Sequence, residues 1–228
     1  MTKEVSQLIK DIVLDMNNTI FGVYDSVNLR TDICNTKWAR IGKTVTNATG
    51  DEYRITDMVV DEWIKVTPVT PNAPILEDLI NLPNPFWITG TKIATNREWT
   101  ISGKNVTEKT PIIWLLQTLR ITKYGRENTL DFNTDVRLFF LDETNVLNYY
   151  TEDHLDLVVF PMERLVLEFL DTITRTRQYK TVEDYELITF SRFGIEQNES
   201  MFKNILDANL SGVELKIRLE KYKENCKC

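Results

Sequence analysis

From Val213 to Glu220 the chain alternates without a break, Val213, Leu215, Ile217 and Leu219 against Glu214, Lys216, Arg218 and Glu220. Successive side chains of a strand point to opposite faces, so this segment belongs in a sheet with one dry face and one wet face. Thr134–Glu143 reads as another strand, alternating at first and apolar through its centre. Pro111–Leu116 is a continuous apolar run of strand length, the pattern of a buried central strand. Leu165, Val166, Phe169, Leu170 and Ile173 recur at helical spacing and predict a helix from Pro161, where a first turn tolerates proline. Glu186–Ile195 predicts a strand. Met201, Phe202, Ile205 and Leu206 predict a helical turn between Gly194 and Gly212. The last third therefore reads strand, helix, strand, short helix, strand.

At the other end, Val5, Leu8, Ile9, Ile12, Val13 and Met16 form one stripe of a helix over Thr2–Asn17, and Ile20–Tyr24 predicts a first strand. Between Ile33 and Lys109 short runs of Thr, Val, Ile and Trp alternate with turn-forming residues. They predict strands at Trp38–Asn47, Tyr53–Val60, Trp63–Pro68, Trp87–Ala94 and Trp99–Ser102, with a short helix over Pro74–Leu82. All five tryptophans (Trp38, Trp63, Trp87, Trp99, Trp114) fall in this half, where they read first as anchors of a β core, ahead of a ligand-stacking platform, with subunit contacts a further reading for some of them. The expected fold class is α+β: an antiparallel sheet with helices packed on one face, plus a strand-rich excursion in the N-terminal half. Residues 1–220 read as one domain with a β-rich insertion or arm at about 33–109, and residues 221–228 as a flexible charged tail.

The 228 residues are 42% hydrophobic and 27% charged, enough for a real core. A net charge of -7 argues against sequence-independent nucleic-acid binding, which needs clustered Lys and Arg, yet suits a wall past which DNA slides. No apolar run approaches the ~20 residues of a membrane helix. Met1–Asp15 lacks a signal peptide's apolar region, so assembly in a cytoplasm is expected. Cys34 stands alone, and Cys226 and Cys228, without histidine or further cysteine, make a poor zinc site. The single histidine, His154, lies beside Glu152, Asp153 and Asp156 and reads as a cap or surface residue. The best enzymatic arrangement is Glu214-Leu-Lys216 with Asp142 or Asp135 on another strand, a set that in some nucleases holds Mg²⁺ and positions a water. Glu-x-Lys is also what alternation alone produces. No catalytic, cofactor-binding or metal residue is assigned, and no enzymatic activity is expected.

The leading amphipathic helix, the Pro111–Leu116 and Asp135–Glu143 strands, the Pro161–Ile173 helix and two closing strands around Phe193–Phe202 and Ala208–Val213 come in an order that is known. Over roughly residues 1–24 and 110–220 the chain resembles the tail-terminator and tail-completion proteins of tailed bacteriophages, including neck ring proteins of crAss-like phages. The segment from Ile33 to Lys109 is longer than a minimal terminator requires. The resemblance implies a virion structural protein, a ring of six or twelve copies that joins the capsid portal region to the tail. Its partners would be copies of itself, adjacent neck, portal or tail proteins, and DNA passing through the lumen without specific binding, with no membrane. Phe193, Met201, Phe202, Ile205 and Leu206 are the candidate inter-subunit residues, since a short apolar turn between two strands projects from a sheet end. The alternatives are a Mg²⁺-dependent nuclease using Asp142, Glu214 and Lys216, and a monomeric cytoplasmic adaptor binding a peptide along a sheet edge.

Overall fold

Short Thr-, Val- and Ile-rich strands cannot bury both faces alone, and six of them in the N-terminal half solve this by closing on one another. The computed structural model describes residues 2–71, 73–74, 79–101, 106–117, 120–124, 131–145, 147–177, 179–180, 184–193, 195–198, 201–204, 206 and 208–220. Helix α1 (Thr2–Leu14) leads into β1 (Thr19–Asp25), β2 (Arg30–Ile33), β3 (Thr44–Thr46), β4 (Glu52–Val59), β5 (Trp63–Pro68) and β6 (Leu79–Asn81). These pair antiparallel in the closed order β1-β2-β5-β4-β3-β6. Within that barrel β3, β4 and β5 follow one another and β6 returns beside β3, a Greek key. Ile20, Ile33, Val45, Tyr53, Ile55, Ile64 and Ile80 fill the interior.

A second, six-stranded sheet follows. Strand β7 (Phe86–Gly90) pairs parallel with β8 (Ile112–Leu116), and helix α2 (Lys92–Ile101) and a 3₁₀ turn at Val106–Lys109 connect them. Strand β9 (Arg120–Tyr124) and the long β10 (Asp131–Glu143) come next. A helical stretch then runs as α3 (Thr151–His154), a π-helical turn (Leu155–Val159) and α4 (Phe160–Thr176). Strand β11 (Tyr185–Phe193), a separate hairpin of β12 (Ile195–Asn198) and β13 (Met201–Asn204), and β14 (Leu210–Glu220) complete the described chain. The sheet order is β11-β14-β10-β8-β7, with β9 also on β10. The fold is α+β.

Both faces of β10 are used. Val136, Leu138 and Phe140 join Val213, Leu215, Ile217 and Leu219 in burying α4 through Leu165, Val166, Phe169 and Ile173. This core is continuous with α1 (Val5, Ile9, Ile12) and with the barrel interior. On the opposite face Phe139 and Leu141 build a second apolar cluster with Ile112, Trp114, Trp99, Phe193 and Leu206. Trp114 stacks on Phe139 at 5.0 Å, and Phe193 meets both rings. Trp38, Trp99 and Trp114 are buried, as core anchors should be.

Several local elements differ from the sequence reading. Trp99–Ser102 read as a strand, yet Lys92–Ile101 is helix α2, because Gly90 at φ 149° ends β7 and its carbonyl accepts the Trp114 indole N–H. Trp38–Asn47 read as one strand, but only Thr44–Thr46 extends, after a loop held by its ionic side chains. Of the Pro74–Leu82 helix, residues 75–78 lie outside the described chain and Leu79–Asn81 is a barrel strand. Residues 33–109 divide, β3–β6 completing the barrel and β7 with α2 joining the second sheet. The helix read from Pro161 begins at Thr151, where Asp153 accepts the Tyr150 backbone N–H at 2.8 Å. A proline inside a helix clashes with the carbonyl four residues back, and the wider π turn before Pro161 relieves this. Met201–Asn204 is a strand of a hairpin, not a helical turn.

Gly212 sits opposite Leu141 on one side and Phe190 on the other at φ 152°, and a Cβ there would lie 2.0 Å from the Phe140 carbonyl oxygen. Gly42 also has positive φ but open space around it. Gly212→Ala should therefore cost at least ~3 kcal/mol in urea unfolding, and Gly42→Ala only ~1 kcal/mol of backbone strain. Equal costs would contradict this packing.

Candidate functional site

The residues that could carry chemistry are separated by the sheet. Strand β10 pairs with β14 in unbroken register, so alternation holds along it. Asp142 lies on the face of Phe140, whereas Glu214 stands opposite Phe139 on the other face. The nuclease set is thus not assembled: Asp142 and Glu214 point away from each other. Glu214 pairs with Arg137, and Lys216 with Glu186 at 3.2 Å. Asp135 shares the Glu214 face but reaches Arg218 instead, at 3.9 Å. Among the described residues no three or more His, Cys, Asp or Glu side chains converge as metal ligands.

Asp142 has a different occupation. The loop between β2 and β3 brings two cations to its carboxylate, Arg40 Nε at 2.8 Å and Lys43 Nζ at 2.7 Å. Arg40 also donates to the Glu143 carbonyl at 3.0 Å, and Lys43 to the Thr110 hydroxyl at 2.6 Å. Burial works against the Asp142 charge, but Arg40 and Lys43 outweigh it and hold the carboxyl below its ordinary range. Burial likewise depresses Lys43, with Asp142 opposing. Close by, His154 is buried rather than on the surface, its Nδ1 2.7 Å from the Thr144 hydroxyl and its ring edge-on to Tyr149. The sequence offered no periodic signal for this network, because its members come from four separated segments.

The same loop forms one wall of an apolar recess of about 730 Å³. Thr36, Lys37, Ala39, Arg40 and Ile41 face Leu157, Phe160, Glu163, Arg164 and Leu167 across it, with Met58 of β4 and Val60 of the β4–β5 turn at its end. Phe160, Glu163, Arg164 and Leu167 follow helical spacing on the side of α4 turned away from the core. Phe160 stays 58% exposed, Leu167 54% and Val60 59%. Arg164 clamps the rim by a fork onto Asp61, whose carboxylate also accepts the Thr36 backbone N–H at 2.8 Å. Hydrogen bonding from Arg164, with smaller help from Thr36, holds Asp61 below the usual carboxylate range. Burial in the recess pushes Glu163 up.

At the far end of the barrel the β1–β2 turn carries Val27 and Leu29, both strongly exposed, and Phe21 and Val23 continue this apolar surface along β1. The register fixes the two ends. Val59 pairs with Trp63 beside the recess, whereas Tyr53 pairs with Pro68 near Leu29. Six residues of β5 at roughly 3.3 Å each place turn and recess ~20 Å apart.

Of the interface residues read from the sequence, Phe193 and Leu206 are buried in the second apolar cluster. Met201 and Phe202 lie on β13, and Ile205 falls outside the described residues. The recess was partly legible, since Phe160 and Leu167 are apolar positions off the buried stripe of α4. Its opposite wall depends on tertiary packing and carried no signal. No helix among the described residues is long and apolar enough to cross a membrane. No protein-family model matches this chain, and no curated protein or solved structure matches it significantly.

Removing one partner of a buried ion cluster leaves the others uncompensated, so Asp142→Asn should cost ~3–5 kcal/mol. Its folded pKa lies below the unfolded value of ~3.9. The stabilisation is therefore complete above that pH and lost as pH falls towards the folded value. Urea titrations at about pH 6 and pH 3 should show wild type losing more stability on acidification than Asp142→Asn. Parallel losses would mean that the cluster contributes nothing.

Proposed function

We propose that this chain is a virion structural protein, a ring-forming connector subunit of the head-to-tail kind that its order of elements resembles. The observation that carries the reading is the placement of an exposed apolar turn and an exposed apolar recess at opposite ends of the barrel. A projecting patch that fits a recess elsewhere on the same molecule makes a heterologous contact, which forms a ring if its rotation closes. Val27 and Leu29 of one copy would enter between Ile41 and Val60 on one side and Phe160 and Leu167 on the other, in the next copy. Further support comes from the carboxylates themselves, since Asp142 and Glu214 are each taken up by internal cations on opposite faces of the sheet. In this reading the ring joins the portal region to the tail, and DNA passes through the lumen without specific contacts. The net charge of -7 favours a wall that does not hold phosphate.

Native mass spectrometry over a range of concentrations tests it. The expected result is a discrete species of six or more copies that Leu167→Glu abolishes and Leu29→Glu abolishes equally. Mixing the two variants should yield pairs, each joined through its one intact surface. A wild-type protein that never exceeds two copies would overturn the ring.

A further inference from the structure

The three cations that line the recess among the described residues are already committed. Lys37 donates to the Asn17 carbonyl and lies 3.7 Å from Glu168. Arg40 is held by Asp142 at 2.8 Å and by the Glu143 carbonyl at 3.0 Å. Arg164 forks onto Asp61 and reaches the Thr36 hydroxyl. Two carboxylates share the recess, Asp156 and Glu163. Asp156, on the π-helical turn, is exposed and stays solvated. Glu163 is half-buried, with Phe160 three residues before it and Leu167 four after it on the same side of α4. Among the described residues no cation or hydrogen-bond donor meets Glu163, and burial alone acts on its acidity.

The β1–β2 turn brings no free cation to it. Asp25 accepts the Val27 and Asn28 backbone N–H groups at 2.9 and 3.2 Å and the Asn28 amide at 2.6 Å, bonds that favour its charged form. Arg30, at the end of the turn, is 2.8 Å from Asp32 and lies over the Trp63 ring. Entry of Val27 and Leu29 would therefore strip water from the Glu163 carboxylate, supply no cation in its place and bring a second carboxylate, Asp25, with it. A charge buried without a partner costs enough that the group is neutralised instead.

Resting on the turn-and-recess contact, we propose that each docking event is coupled to protonation of Glu163, one proton passing from water to its carboxylate as the turn of the next copy enters. Assembly is then pH-dependent, with a definite sign. Burial in the recess already pushes the Glu163 carboxyl up in the single subunit, and docking deepens that burial. Docking is fully favoured below the value of the free subunit and loses strength as pH rises through the docked value. That window opens above the ordinary glutamate value of ~4.3.

Sedimentation of the full chain at constant ionic strength, from about pH 5 to about pH 8, tests the coupling. Wild-type assembly should weaken with rising pH by up to about tenfold per contact for each pH unit, the limit for one proton. Glu163→Gln should show a profile flatter by about one proton per contact, and near the alkaline end should assemble at least about tenfold more tightly than wild type. Glu163→Leu should flatten the profile equally, and thermal unfolding of each variant checks that the fold is kept. Acidification also lowers the repulsion between acidic subunits, but it does so in all three proteins, so the difference between profiles isolates Glu163. Parallel profiles in wild type and Glu163→Gln, or wild-type rings equally stable at every pH, overturn the coupling and leave the ring standing. A folded Glu163→Gln that fails to assemble where wild type succeeds also overturns it, and assigns the ionised carboxylate to a cation of the docking partner. Wild type that stays monomeric at every pH overturns the ring and the coupling together.

Discussion

A single carboxylate, Asp142, sits where the barrel meets the second sheet, and the loop that carries Arg40 and Lys43 is folded around it. The loop leaves β2 at Ile33 and must return to β3 at Thr44, so its course is open unless something fixes it. Two cations converging on one buried anion fix it in direction as well as position, since the guanidinium also caps the Glu143 carbonyl. The cost of desolvating three charged groups is large, and such clusters are poor sources of net stability. What they give is a defined arrangement. The wall of the recess, Thr36–Ile41, belongs to this loop, so the exposed apolar surface inherits its shape from a buried ionic contact.

Long β10 makes this possible by having two buried faces with different clients. Its even-numbered side chains serve the core shared by α4, α1 and the barrel interior, and its odd-numbered ones serve the aromatic cluster around Trp114. A shift of one residue in register would exchange these sets and expose Asp142 to the aromatic side. Register is pinned by that mismatch and by Gly212, whose missing Cβ admits the Phe140 carbonyl. The same alternation splits Asp142 from Glu214. A nuclease-like pattern in one dimension is thus dissolved by the pleat.

Elements whose periodicity reports a single buried face were legible in the chain: the stripe of α1, the core face of α4, the alternation of β14, and β5 to its termini. Those set by what lies across from them were not. Lys92–Ile101 has the Thr, Ile and Trp content of a strand, and becomes a helix because β7 stops at Gly90 and Trp99 reaches back to Phe86. Arg120–Tyr124 is too polar to announce itself, and extends because β10 runs far enough to pair with it. Barrel closure depends on β1 meeting β6 some sixty residues later, a pairing that no local window contains. At the candidate site, Phe193 and Leu206 were read as projecting, and instead fill the aromatic cluster, where Phe193 packs on Trp114 and Phe139. The apolar face that does stay open on α4 was visible only as two residues off the stripe.

Edges tie these observations together. Closing the barrel removes the free edges of six strands at once, and α1 packs beside β7 at one margin of the second sheet, where the Ser6 and Thr89 hydroxyls lie 3.5 Å apart. Strand β11 keeps one edge without a strand among the described residues, as do β9 and the β12–β13 hairpin. An unprotected edge is normally a hazard, because any extended chain can add to it. On β11 the register shift before Phe193 breaks the regular ladder, and a bulge is one of the devices that turn an edge away from further pairing.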